Sequence, residues 1–176
     1  DHIQTFRPKV AVWLNVTPDH LDRYDHTYEK YIASKCRIFE NLGNGDVLVY
    51  NADDETERRQ VEKLAPPSAR RLAFGLHAQE NEGAFVEAGH MKIRLNSIES
   101  EVIATDQITL RGMHNLYNAM AATLAARVMG ISMASIRSTL RNFKGVEHRL
   151  EYVREVNGVT YVNDSKATNV DSVWYA

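Results

Sequence analysis

The sequence predicts an α/β protein. It has a mostly parallel central sheet flanked by helices, a small antiparallel subsheet over about residues 84–110, and the start of a second, Rossmann-like domain. Three observations carry this expectation. Residues 10–16 (VAVWLNV) and 46–50 (DVLVY) are near-continuous apolar runs, as in strands of a parallel sheet covered on both faces. Helical stretches follow each of them. After Gly75 the pattern changes to short alternating segments separated by Gly or Asn-Ser, the pattern of a small antiparallel sheet.

In chain order, Thr17-Pro18 follows the first strand as N-cap and first helical residue, so a helical turn is expected from Pro18. A longer helix spans 27–42 and is closed by Gly43. After the second strand, 53–64 reads as a charged surface helix ended by Pro66-Pro67, and 71–74 as a third strand. The alternating segments are 84–86, 91–95, 101–103 and 107–110. Two helices follow, 115–129 and 133–143, ending at Gly130 and Gly145. Runs 150–156 and 159–162 flank Asn157-Gly158, the strongest short hairpin signal. The expected boundary lies near 145–147, giving domains 1–145 and 146–176.

The 176 residues carry 44% apolar side chains and a net charge of −2, enough for a packed core. No basic stretch is interleaved with aromatics, so nucleic acid is not an expected partner. The arginine pairs 58–59 and 70–71 read as solvated surface. One cysteine, Cys36, cannot form an internal disulfide, which fits a reducing cytoplasm. No apolar run approaches the roughly 20 residues of a membrane helix. The sequence starts at Asp1 without Met and stops just after a helix start, which reads as a piece of a longer chain.

Several residues carry possible chemistry. In the helix 27–42, Tyr28, Tyr31, Ile32, Ile38, Phe39 and Leu42 form one apolar stripe, with Lys35 in its middle. Such a lysine either extends its ammonium to water or is buried as a neutral, nucleophilic amine able to form a carbamate with carbon dioxide. His20, beside Asp19, Asp22 and Asp25, leaves the C-terminal end of a buried strand, where open α/β sheets bind ligands. It reads as a metal ligand or as a surface hydrogen bonder. Asn115 suits the N-cap of the third helix. Asn118 in the first turn is not explained by capping, and two carboxamides match an adenine edge. Arg149 at the domain boundary can meet a phosphate or form an interdomain ion pair. Asp164, Lys166 and Thr168 lie in a polar loop after a strand, either an ordinary Asx-turn loop or a phosphate-facing one. Trp13, Trp174 and Met120 are assigned to packing. No Gly-x-x-x-x-Gly-Lys-Ser/Thr occurs in these residues.

Taken in order, segments 15–24 (NVTPDHLDRY), 35–39 (KCRIF), 51–54 (NADD), 112–119 (GMHNLYNA), 148–151 (HRLE) and 163–169 (NDSKATN) resemble those of the Mur ligases of peptidoglycan synthesis. The last segment resembles most the branch that adds D-glutamate. The resemblance implies a three-domain ligase with ATP and magnesium as cofactors. Its substrates would be UDP-N-acetylmuramoyl-L-alanine and D-glutamate. Residues 1–145 would be part of the central ATPase domain without its phosphate loop, and 146–176 the start of the amino-acid-binding domain. The remaining N- and C-terminal domains would be partners in the same chain, and these residues alone would be inactive. It further implies that His20 ligates magnesium or touches substrate, and that Lys35, as carbamate, holds a second magnesium. Asn115 and Asn118 would read adenine, and Arg149 and Asp164 contact the nucleotide. Lys166 would sit near the phosphates and Thr168 near D-glutamate. The competing readings are a folylpolyglutamate synthase-like ligase and a non-catalytic nucleotide-binding domain derived from a ligase.

Overall fold

The structure, a computed structural model, describes residues 2–18, 21–77 and 82–167. The chain divides into two compact units, Asp1–Arg141 and Asn142–Ala176.

In the first unit, apolar runs become strands whose alternate residues face opposite sides. Strands β1 (Val10–Trp13), β2 (Val47–Asn51) and β3 (Arg70–Phe74) pair in parallel. On β2, Val47 and Val49 enter one core while Leu48 enters the other, as a period of two requires. The first core joins β2 and β3 to Met120, Leu124 and Ile136 of helices α3 (Met113–Val128) and α4 (Met133–Asn142). The second joins Trp13 and Leu48 to Ile32 of α1 (Tyr28–Cys36), Phe39, and Val61 of α2 (Glu55–Leu64). Strand β2 is thus covered on both faces, whereas β1, expected over 10–16 with both faces covered, ends at Trp13 and leaves Val12 exposed on one face. The packing assigned to Trp13 and Met120 is observed, at 3% and 0% exposure. Trp174 lies outside the described residues.

Strands β4 (Gly83–Glu87), β5 (His90–Leu95) and β6 (Ile98–Ala104) are the expected antiparallel part. They extend the parallel sheet rather than standing apart, giving one six-stranded sheet in the order β1-β2-β3-β4-β5-β6. The junction is a short parallel pairing of β3 with β4, Ala73 with Gly83 and Phe74 with Ala84. A Cβ on Gly83 would lie 1.9 Å from the Ala73 carbonyl oxygen, so only glycine lets the two backbones meet here.

Some sequence expectations are corrected. Residues 107–110 are not a strand. A 3-10 turn covers Thr105–Gln107, and Thr109 bonds the end of α4, its N–H to the Leu140 carbonyl and its hydroxyl to that of Arg141. The helix expected over 27–42 ends at Cys36 and tightens into a 3-10 turn, Arg37–Phe39. Pro18 is a bend, and the first turn past it that the structure describes is the 3-10 segment Leu21–Tyr24. Helix α3 starts at Met113 with Gly112 at its N-cap, so Asn115 is inside the helix and not its cap. Arg70 and Arg71 are not merely solvated. Arg70 forms a two-pronged pair with Glu82, and Arg71 donates to the Ala65 carbonyl. No helix among the described residues is long and apolar enough to cross a membrane.

In the second unit, β7 (Glu151–Val156) and β8 (Val159–Asn163) form the expected hairpin. Asn157 and Gly158 both take positive φ, 51° and 78°, as a type I′ turn needs.

Glu57, in the first turn of α2, is fully buried. Its Oε2 accepts from the Asn51 N–H at 3.0 Å, while Oε1 has no partner among the described residues. Burial pushes its carboxyl up to about 8 against the weaker pull of that hydrogen bond. The folded protein therefore keeps a proton that the unfolded chain loses above its ordinary value near 4.5. Stability should fall as pH rises through that window and level off above it, by at most about 5 kcal/mol. Glu57→Gln should flatten this slope, measured by urea unfolding at a series of pH values. An unchanged slope would show that Glu57 titrates normally.

Candidate active site

In the first unit, polar residues gather where β2 and β3 end and α3 begins. The last residue of β2 and the three after it each have a structural contact. The Asn51 carboxamide oxygen accepts from the Asp53 N–H at 3.0 Å, an Asx turn. Ala52 is buried and donates to the Phe74 carbonyl. Asp53 Oδ2 accepts from the Leu76 N–H at 2.6 Å and the Tyr117 hydroxyl at 2.7 Å. Asp54 caps α2 by accepting from the Glu57 N–H at 2.9 Å. A Cβ on Gly75 would lie 2.6 Å from Asp53 Oδ1, so glycine is what lets this carboxylate approach the chain after β3.

At the start of α3, the Asn115 carboxamide donates to the Arg111 carbonyl at 2.7 Å, which leaves its oxygen as an acceptor. Asn118 is exposed. A cavity of about 370 Å³ opens beside this turn, lined by Ile108, Leu110, Arg111, Gly112, Met113 and Leu116 among others. Neither asparagine lines it. The Tyr28 hydroxyl donates to the Val16 carbonyl at 2.6 Å, tying α1 to the segment after β1. Burial, with Asp54, Tyr31 and Glu57 nearby, holds that hydroxyl above its ordinary value, so it remains a donor.

The stripe on α1 forms as expected, with Tyr31, Ile32 and Cys36 buried. Lys35 does not join it. Its side chain is exposed, with Nζ 5.2 Å from the centre of the Tyr31 ring. Of the two readings open from the sequence, the structure supports extension to solvent, and burial contributes nothing to any reactivity of this amine. Cys36, one residue on, is the buried group. Desolvation and the nearby Glu57 push its thiol up to about 11, which leaves it inert. His20 lies outside the described residues, as does Thr168. Among the described residues no group of three or more His, Cys, Asp or Glu could hold a metal ion.

In the second unit, two segments far apart in sequence meet at one end of the hairpin. The Lys166 N–H donates to the His148 carbonyl at 3.0 Å, and the Leu150 N–H donates to Asp164 Oδ1 at 3.0 Å. The Asn163 carboxamide lies 2.8 Å from His148 Nδ1, and the His148 N–H donates to Glu151 Oε2 at 2.8 Å. His148 and Leu150 both hold positive φ, 67° and 47°, an unusual conformation for such residues. These bonds hold it, and Arg149 lies between them. Arg149 and Lys166 are both exposed, so this end presents two cations on adjacent backbones. Asp164 is turned toward the Leu150 amide and acts here as a brace.

The sequence reading found these two segments but not that they bond each other. It assigned no role to Asp53 or Tyr117, which lie 64 residues apart and share no local pattern.

A family model for the Mur ligase middle domain matches residues 1–126. The chain belongs to the Mur ligase family. It is 48% identical over 177 aligned residues to a UDP-N-acetylmuramoylalanine--D-glutamate ligase of Salinibacter ruber, covering all of this chain and 38% of that protein. The chain thus spans under two fifths of that curated relative. Among solved structures it resembles MurF of Acinetobacter baumannii, with a TM-score of 0.73 and 22% identity over 96% of this chain and 36% of that one. It also resembles the MurF ligase of Thermotoga maritima in complex with ADP, with a TM-score of 0.65 and 21% identity over 96% and 38%. These two likenesses establish the fold alone.

Asp164 gives a test of the second unit's arrangement. Asp164→Ala should leave the Leu150 amide without its side-chain acceptor and speed hydrogen exchange at Leu150 and Lys166 by about tenfold. Exchange unchanged at both amides would mean that the hairpin end is held some other way.

Proposed function

We propose that this Mur ligase chain is the adenine-side part of an ATP-dependent ligase that adds D-glutamate to UDP-N-acetylmuramoyl-L-alanine, in the cytoplasm, during peptidoglycan synthesis. The observation that carries the proposal is the 48% identity, over the whole chain, to a ligase named for that reaction. The alignment includes the 163–169 loop, where the resemblance to the D-glutamate-adding branch is sharpest.

The reaction runs in two steps. The γ-phosphoryl group of ATP passes to the substrate carboxylate, releasing ADP and giving an acyl phosphate. The amine of D-glutamate then attacks that carbon. The tetrahedral adduct collapses with loss of phosphate, leaving an amide. Magnesium supplies countercharge to the nucleotide and acyl phosphate.

The chain's own residues are suited to the binding side of this chemistry. Asn118, exposed on the second turn of α3, and the carboxamide oxygen of Asn115 offer the donor and acceptor that an adenine edge requires. Exposed Arg149 and Lys166 suit phosphate oxygens, with Asp164 fixing the backbone that carries them. His20 and Thr168 are assigned to magnesium or substrate and to D-glutamate by family resemblance. Lys35 is assigned as a carbamate by the same resemblance. Its exposure leaves it open to carbon dioxide, and a carbamate would give magnesium two anionic oxygens. Lys35 is then the one proposed magnesium ligand among the described residues. Residues 1–145 are read as central-domain sequence and 146–176 as the start of the amino-acid-binding domain.

In the complete enzyme, D-glutamate and not L-glutamate should support ADP release with UDP-N-acetylmuramoyl-L-alanine. Equal use of L-glutamate would favour a folylpolyglutamate synthase-like reaction. Lys35→Ala should remove most activity, and a short carboxylic acid should restore part of it. Normal turnover in Lys35→Arg would end the carbamate assignment. The 176 residues alone, which contain no phosphate-binding glycine loop, should show no micromolar ATP binding by calorimetry with magnesium.

A further inference from the structure

We propose that Asp53 and Tyr117 form a positioning pair that sets nucleotide affinity by holding the second turn of α3, Tyr117 onward, and through it the helix start. The proposal rests on the reading of Asn115 and Asn118 as adenine-side residues.

Tyr117 lies between the two asparagines' turn and the sheet. One side of its ring packs edge-on to Phe74, the last residue of β3, with centroids 6.2 Å apart and planes at 63°. Its hydroxyl donates to Asp53 Oδ2 at 2.7 Å. Asp53 is fixed in turn. Its N–H is held by the Asn51 carboxamide, the same Oδ2 accepts from the Leu76 N–H, and glycine at 75 leaves room for the carboxylate. The start of α3, at Tyr117, is therefore bonded to the chain that follows both β2 and β3. Burial and the adjacent carboxylate push the Tyr117 hydroxyl up to about 12, so it stays protonated and donates at any physiological pH.

The consequence for binding follows from where helices are weakest. Terminal turns open with little cost, since their first N–H groups have no partner within the helix, and opening of Met113–Leu116 can spread into the next turn, which carries Tyr117 and Asn118. Asn118 follows Tyr117 directly and Asn115 is two residues before it, so both carboxamides sit on the two turns that Tyr117 ties to the sheet. A ligand that needs the closed turn binds with an affinity reduced by the fraction of time the turn is closed. A hydroxyl-to-carboxylate bond, stronger than a neutral one, raises that fraction. Asp53 touches no reacting group and acts only through Tyr117 and Leu76.

The test uses Tyr117→Phe, which removes one oxygen and keeps the ring on Phe74. In the complete enzyme its KM for ATP should rise about fivefold or more. The kcat and the KM for the UDP-linked substrate should stay within about twofold, and the melting temperature should hardly move. Asp53→Asn should act in the same direction, because a neutral carboxamide accepts more weakly. Asn118→Ala, run in parallel, reports the underlying reading. If Asn118→Ala raises the ATP KM and Tyr117→Phe does not, the positioning pair is wrong and the adenine reading stands. If neither moves it, the adenine reading fails and the inference fails with it. A fall in kcat with unchanged ATP KM in Tyr117→Phe would also overturn the inference.

Discussion

Strand β2 has no face left for solvent. Val47 and Val49 are claimed by the helix layer of α3 and α4, and Leu48 by the layer of α1 and α2. Both ladders are also used, since β1 pairs on one side and β3 on the other. A strand in that position can carry polar chemistry only where it ends. Its last residue, Asn51, and the three that follow it, Ala52 to Asp54, are accordingly all polar or small, and each one fastens a different neighbour. The arrangement of the candidate site in the first unit descends from that constraint.

The same constraint explains a contrast between two acids three and six residues into this region. Asp54 stays at the helix end, where backbone N–H groups welcome its charge. Glu57, one turn further, points into the core and keeps one oxygen unpartnered. Its carboxyl bonds the Asn51 N–H, so it helps fix the end of β2, at the cost of holding a proton in the folded state. Burial also pushes the Cys36 thiol on α1 up to about 11, and the nearby Glu57 adds to it.

Much of this was legible in the sequence. Strand β2 announced itself as an unbroken apolar run, and Asn157-Gly158 announced its hairpin, because both signals are local; the run at 10–16 gave a strand only to Trp13, with Val12 exposed. The errors fell where a distant partner decided the outcome. Thr109 left the strand pattern because the end of α4 takes up its N–H and hydroxyl. Asn115 looked like a cap, yet Gly112 opens the helix one turn earlier and Asn115 bonds back to Arg111. Lys35 shared the spacing of its stripe, but spacing cannot say how far a long side chain turns out, and this one extends along the Tyr31 ring into solvent. For the candidate site, the segments were found by their composition. The bonds between them, such as Lys166 to His148 or Tyr117 to Asp53, were invisible because no period connects residues that far apart.

Exposed Lys35, Arg149 and Lys166 share one property with physical consequence. None is neutralised by a carboxylate in a described ion pair, whereas Arg7, Lys30, Arg59, Arg70 and Lys92 each have one. Surface cations with close acidic partners contribute little and attract little. Cations without such partners keep their full field for an incoming anion. In the second unit the nearby acids are instead spent on backbone amides, Asp164 on Leu150 and Glu151 on His148. That division of labour leaves the acids fixing the chain and the bases facing outward. It arises here from the two positive-φ residues on either side of Arg149, whose N–H groups are the ones the acids bind.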